Sequence, residues 1–179
     1  MTENKIAIVG KQEKLDVNNY EVGDIVKETE RDMIVVEMKE NKKVFKRKVK
    51  IQKFWTEVPT DEDRLVKLYQ VFNSDSEATP FKDAKGMQLE VKNYFINPFE
   101  RVDEETGEFI TGATLTIESE DGHFYVTSSK GAIFDLQNIV ATFGVPNTEN
   151  ASRFVVEINT KKSQYGRDQQ TIKLIGLAK

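Results

Sequence analysis

A mainly β protein is predicted, and three observations predict it. Most apolar residues fall in short runs of strand length that are rich in β-branched and aromatic members. Gly, Pro, Asn and Asp collect between those runs. Only two stretches, one after Pro59 and one after Ser129, space their apolar residues as a helix does. At 179 residues the chain accommodates one ordinary domain, or a small domain with a structured extension.

Ile6-Ala7-Ile8-Val9, ending at Gly10, reads as a short strand, and Val22, Ile25 and Val26 follow a polar stretch. Met33 to Met38 and Val44 to Ile51 read as a hairpin about the turn Glu40-Asn41-Lys42. Pro59-Thr60 opens a helix: Thr60 and Asp63 have capping-box spacing, and Asp61, Glu62 and Asp63 complement the positive helix start. Leu65, Val66, Leu68, Tyr69 and Phe72 form its stripe, Asn73-Ser74-Asp75-Ser76 ends it, and a linker runs to Gly86. Met87 to Ile96 alternates as a long strand, and Asn97-Pro98 begins an acidic loop. Ala113 to Ile117 and His123 to Thr127 pair about Glu120-Asp121-Gly122, where Asp-Gly suits a tight turn. Ser128-Ser129 caps a helix carrying Ile133, Leu136, Ile139, Val140 and Phe143, stopped by Gly144 and Pro146. Phe154 to Ile158 and Thr171 to Ile175 are the last strands.

Three strands, a helix and two strands is the order of an OB-type five-stranded barrel with one helix between strands three and four. Other small barrels and sandwiches with one helix share it. The expected organisation is an N-terminal β-hairpin extension over 1–54, a short helix and linker over 55–86, and the OB-like barrel over 87–179.

Net charge is −4 with pI near 5.3, yet charge is segregated. Lys42 to Lys53 holds seven basic residues and no acid, while acid gathers in Asp61-Glu62-Asp63 and between Glu100 and Glu108. With no cysteine there is no disulfide, thiolate metal site or cysteine nucleophile. His123, alone at a turn, cannot supply a zinc site. Gly10-Lys11-Gln12 lacks the spacing of a phosphate loop, and Asp103, Glu104, Glu105 and Glu108 lack that of a calcium loop. No enzyme activity, cofactor or metal is expected. No membrane span or signal peptide is read, so a cytoplasmic setting is expected.

Phe54-Trp55-Thr56-Glu57-Val58, Leu65-Val66-Lys67-Leu68-Tyr69, Leu89 to Asn93, Asp103-Glu104-Glu105-Thr106-Gly107, Val126 to Gly131, and Phe143-Gly144-Val145-Pro146 carry a resemblance. From Phe54 to Leu177 the chain resembles the single-stranded DNA-binding proteins of phages that infect Gram-positive bacteria. The resemblance implies an OB-fold and sequence-tolerant binding of single strands in replication or recombination, in the host cytoplasm. Partners would be single-stranded DNA, with RNA left open, and a homo-oligomer or replication proteins are compatible with it. Bacterial housekeeping single-strand binders end in an acidic tail. This sequence ends Leu174-Ile175-Gly176-Leu177-Ala178-Lys179, so tail-mediated recruitment is not expected. A protein-interaction or assembly role on the same barrel is the alternative.

Gripping a single strand takes cations for phosphates and aromatic faces for bases. Lys161, Lys162, Tyr165 and Arg167 around Gly166, between the last two strands, fit a gripping finger and equally a solvated hairpin tip. Phe99 and Arg101 start the acidic loop within reach of a strand. The adjacent pairs Tyr94-Phe95 and Phe124-Tyr125 should each place one ring in the core and one outward; the apolar flanks leave open which, and Tyr94 and Tyr125 are the candidates. Lys46, Lys48 and Lys50 share one face of their strand, as phosphate contacts or as edge protection, and Trp55 follows them.

Overall fold

The computed structural model describes residues 15–73, 77–149, 151–163 and 166–178. The run Ile6-Ala7-Ile8-Val9 lies outside them. Ile25–Glu28 (β1), Asp32–Lys39 (β2) and Lys42–Val49 (β3) form an antiparallel three-stranded sheet in the order β1-β2-β3. Glu40 and Asn41 both adopt positive φ, 50° and 62°, the two-residue turn whose twist matches that of the flanking strands.

The remaining elements are Phe54–Trp55 (β4), Glu62–Asn73 (α1), Thr79–Pro80 (β5), Gln88–Val102 (β6), Phe109–Ser119 (β7), Phe124–Thr127 (β8), Lys130–Phe143 (α2), Phe154–Lys162 (β9) and Asp168–Leu177 (β10). They make a second sheet in the order β10-β9-β6-β7-β8-β5, with β4 also paired to β6. β6 is the hinge of this sheet. Gln88–Glu90 pair with β9 on one edge, and Val91 to Val102 pair with β7 on the other. A bulge between Val91 and Asn93 kinks the strand where it changes partners. The sheet therefore curls into a half-barrel. Leu89, Val91, Tyr94 and Ile96 point inward with Ala113, Leu115, Ile117, Phe154, Val156 and Ile158, and α2 fills the opening with Ala132, Ile133, Leu136 and Ile139.

The outward face is also covered over part of its length. Leu68 and Val71 of α1 pack with Ala78 on Phe95 and Phe124. Both rings of each adjacent aromatic pair are consequently buried: Tyr94 and Tyr125 face the barrel interior and Phe95 and Phe124 lie under α1. The expectation of one outward ring per pair fails because the helix read as a separate element sits on the sheet.

The strands run further than the sequence suggests. β6 passes through Asn97-Pro98 to Val102. The Tyr94 carbonyl accepts from Thr56 N and the Tyr94 N–H donates to the Thr56 hydroxyl, so Pro98, four residues on, turns its nitrogen to the edge that β4 leaves bare, and no ladder bond is lost. The acidic loop shrinks to a tip shaped by Asp103, whose Oδ1 accepts from the backbone N–H of Thr106 (2.8 Å) and Glu105 (3.1 Å). β9 and β10 likewise absorb Lys161, Lys162 and Asp168. The caps differ too. Asp61, not Thr60, accepts from Arg64 N at 3.3 Å. Ser129 leads into α2 without a side-chain cap; its hydroxyl donates to the Gln170 carbonyl at 2.6 Å.

The first sheet joins the half-barrel through Met33, Val35 and Phe109. Beside them Glu37 is buried, with Lys46 Nζ at 3.2 Å, Lys48 Nζ at 2.9 Å and the Phe109 N–H at 3.4 Å. Burial alone would raise the Glu37 pKa, but the two lysines outweigh it and hold the carboxyl below its usual 4.5.

Two outcomes are expected. Leu136 is fully buried, so Leu136→Ala should lower stability by about 2–5 kcal/mol in urea unfolding. Because the folded Glu37 pKa is depressed, its contribution is present above the ordinary value and is lost as pH falls through the lowered one. Limited proteolysis between β3 and β4 should accelerate below about pH 4.5. In Glu37→Gln that acid step should be smaller.

Candidate nucleic-acid interface

α1 divides the outward face of β6, β7 and β8 into a covered and an open half. The covered half is locked by Arg64, which donates to Glu57 at 3.0 and 2.6 Å and also bonds Glu118. Asn93 Nδ2 donates to both carboxylates at 2.9 Å. The hydrogen bond to Glu57 leads in raising the Arg64 pKa, against the opposing effect of burial. Arg64 in turn holds the Glu57 carboxyl below its ordinary range. A strand cannot lie here while α1 is seated.

The open half is built from three cross-strand rows, Asn97 with Thr114, Phe99 with Gly112 and Arg101 with Ile110. Phe99 lies flat on Gly112: a Cβ there would come within 2.6 Å of the ring. Trp55 stands beside Phe95 in register. Its indole N–H donates to Asn97 Oδ1 at 2.7 Å, and its ring lies 5.2 Å from Phe72 and 5.8 Å from Phe95. Lys53 Nζ sits 4.0 Å over the indole. Arg101 is exposed, and Trp55, Phe72 and Phe99 are half-buried. A groove of about 600 Å³ continues from Phe72, Thr114 and Val126 to Pro80, Lys82, Ser128 and Gln170. The result is an aromatic surface with cations at its margin.

The β9–β10 hairpin borders this groove through Gln170. Lys161, Lys162 and Arg167 are exposed there, Gly166 has φ of 75°, and Tyr165 lies outside the described residues. Lys162 pairs with Asp168 at 2.7 Å, which lowers the Asp168 pKa. Tyr94 and Tyr125 are 3% and 4% exposed. Burial pushes the Tyr94 phenol up to about 12 and the Tyr125 phenol upward as well. Lys46 and Lys48 do share one face, but it is the face that holds Glu37, and Lys50 pairs with Glu28. All three cations are thus engaged by carboxylates of the protein.

Sequence reading did not single out Lys53 or Phe72 as site residues, and Phe54 turns to the Tyr94 side of the sheet, away from the Trp55 face. Lys53 was visible only as the end of a basic run, and Phe72 only as part of a helix stripe. Phe54 is 40% exposed and stacks on Tyr94 at 5.3 Å between centroids. Only the return of α1 over β6 brings Phe72 to Trp55.

The family model described as Phage Single-stranded DNA-binding protein matches residues 39–175, from the last residue of β2 almost to the end of β10. A Single-stranded DNA-binding protein of Bacillus phage GA-1 is 28% identical over 163 residues, covering 86% of this chain and 95% of its own length. No solved structure matches the chain with significance. With the greater part of its length matched, both helices and nearly all of the half-barrel included, the chain belongs to the phage single-stranded DNA-binding protein family.

Proposed function

We propose that the protein binds single-stranded DNA with little sequence preference, laying bases on the open half of the outward face and phosphates on the cations around it. The observation that carries this reading is the constellation of Trp55, Phe72 and Phe99 with Lys53 and Arg101 on one accessible surface. Aromatic faces stack any base, and lysine and arginine neutralise phosphates without reading sequence. The β9–β10 hairpin, with Lys161, Lys162 and Arg167, serves in this reading as a second grip beside the groove.

An OB-type barrel is the finer fold reading. Its support is that β6 pairs with β7 and β9, β7 with β8, and β9 with β10, with α2 between the third and fourth of these strands. Between β8 and β10, Thr127 and Ser129 bond to Gln170 through their side chains. We divide the chain into an N-terminal extension, the α1 segment and the barrel, with β4 and α1 counted as part of the binding surface because both pack on β6. The role is that of a binding protein rather than an enzyme, acting on single strands in phage replication or recombination within the host cytoplasm. No helix among the described residues is long and apolar enough to cross a membrane.

Trp55 is the only tryptophan, so adding oligo-dT should quench intrinsic fluorescence, whereas matched duplex at equal concentration should not. An unchanged spectrum together with no retention of oligo-dT on a filter would overturn the reading. Phe99→Ala should weaken oligo-dT binding by about 1–3 kcal/mol and leave the melting temperature nearly unchanged, since the ring is only half-buried. Replacing Lys161 and Arg167 by Ala should flatten the dependence of log affinity on log salt by about 0.7 for each phosphate no longer neutralised, measured by titration from low to moderate salt.

A further inference from the structure

We propose that a bound single strand continues past the aromatic face into a second, basic cleft, where Lys82, Lys85 and Lys130 hold its phosphates. This rests on the single-strand reading above and extends it to residues outside the aromatic surface and the hairpin tip.

The cleft, of about 570 Å³, lies between the 3-10 turn Phe81–Asp83 and the start of α2, with Ser129, Thr160 and Gln169 completing its walls. It is continuous with the groove on the outward face, because Lys82 and Gln170 line both. A strand leaving the aromatic surface at Val126 and Thr114 therefore meets this cleft next.

Its charge sets it apart. Lys82, Lys85 and Lys130 are exposed, and none lies within 4.0 Å of a carboxylate among the described residues. Lys46 and Lys48 of β3, and Lys50 just beyond it, show the contrast, each being met by a glutamate. The one acid on the cleft wall, Asp168, is already engaged by Lys162. Three like charges whose one carboxylate on the cleft wall, Asp168, is shared with Lys162 repel one another, and an anion that bridges them removes that repulsion. The other walls offer amide and hydroxyl groups, which suit phosphate and sugar oxygens. Among the described residues no aromatic side chain lines the cleft, so these walls fit a strand's backbone rather than its bases.

The cations also stand on fixed backbone. Phe81 and Ala84 are buried on either side of Lys82, and Gly86 N donates to Ile158 O at 2.8 Å just beyond Lys85. Beside Lys130, Gly131 is in close contact with Gln169: a Cβ would fall 2.4 Å from its amide nitrogen. That closeness brings α2 and β10 together and fixes the depth of the cleft.

The test compares the full chain with K82A/K85A/K130A on oligo-dT of two lengths, a few nucleotides and about twenty, across a salt series. The long oligonucleotide should bind at least tenfold more weakly to the variant at low salt, with the salt slope reduced by about 2, near 0.7 for each of three phosphates. The short one, held by the aromatic face, should bind K85A/K130A, which spares the Lys82 shared with the groove, as it binds the wild type, and quench Trp55 to the same extent. K82R/K85R/K130R should restore the long-oligonucleotide affinity. Equal affinity and slope for wild type and alanine variant overturn the cleft while leaving single-strand binding in place. Failure of the wild type to bind either oligonucleotide overturns the function and the cleft together. Melting curves check that the variants are folded. If the triple variant does not fold, K82E and K130E singly carry the same comparison, and unchanged slopes in both overturn the proposal.

Discussion

The proposed aromatic face depends on the register of β6, because one alternating strand has to satisfy three neighbouring strands. Its first residues pair with β9, its middle with β4 and β7 together, and its end with β7 alone. Tyr94 and Ile96 turn into the half-barrel, and odd-numbered residues from Asn93 onward turn toward α1 and the open face. A shift by one residue would exchange these sets, moving Tyr94 and Ile96 out and Phe95 in. It would also turn Phe99 and Arg101 to the wrong side. The bulge after Val91 matters for the same reason, since it lets Leu89 and Val91 face inward and still leaves Tyr94 in phase with them.

Two buried ionic joints attach the remaining pieces to that strand system. Glu37, between Lys46 and Lys48, fixes the first sheet against Phe109. Arg64, between Glu57 and Glu118, fixes α1 over Asn93. Pairs of this kind add little net stability over an apolar contact, but removing one partner leaves an uncompensated charge and costs about 3–5 kcal/mol. They set orientation: α1 could slide along an apolar face, whereas Arg64 accepts one position. That position puts Phe72 against Trp55 and leaves the Phe99 end of the sheet bare. The joint at Glu37, with the pairs Lys43–Glu21, Arg47–Asp32 and Lys50–Glu28, also explains why the most basic stretch of the sequence contributes little free positive charge.

How far the sequence could be read follows from the range of each signal. Hairpin turns, helix stripes and strand order are local, and the β2–β3 turn, both helices and the succession from β6 to β10 were legible. The extent of β6 was not, because Asn97-Pro98 carries a turn signal that an unpaired edge makes harmless. The fate of Tyr94 and Tyr125 was not legible either. Alternation gives two faces, and only tertiary packing of α1 says that both are covered. Phe99 and Arg101 were found as the start of a loop and stand instead on a strand, where Gly112 opposite makes room for the ring. Lys82, Lys85 and Lys130 are scattered singly among neutral and acidic residues, so no run or spacing marks them. Folding, not sequence, gathers them.

The acidic total, finally, is compatible with a polyanionic ligand because of where the acid lies. Asp61, Glu62 and Asp63 sit at the start of α1, beyond the covered half of the face. Asp103, Glu104 and Glu105 sit at the tip of the β6–β7 hairpin, turned toward β2 through the bond from Met38 N to Gly107 O at 3.1 Å. The two acidic groups thus lie at opposite ends of the outward face, and Lys53, Lys82 and Arg101 border the stretch between them. Potentials of exposed charges fade over roughly 10 Å at 0.1 M salt, so a strand on the aromatic rows is governed mainly by the nearer cations. The distant carboxylates oppose a strand that strays along the face toward either end. Segregation of this kind lets a chain of net −4 present a positive track where the proposed binding surface lies.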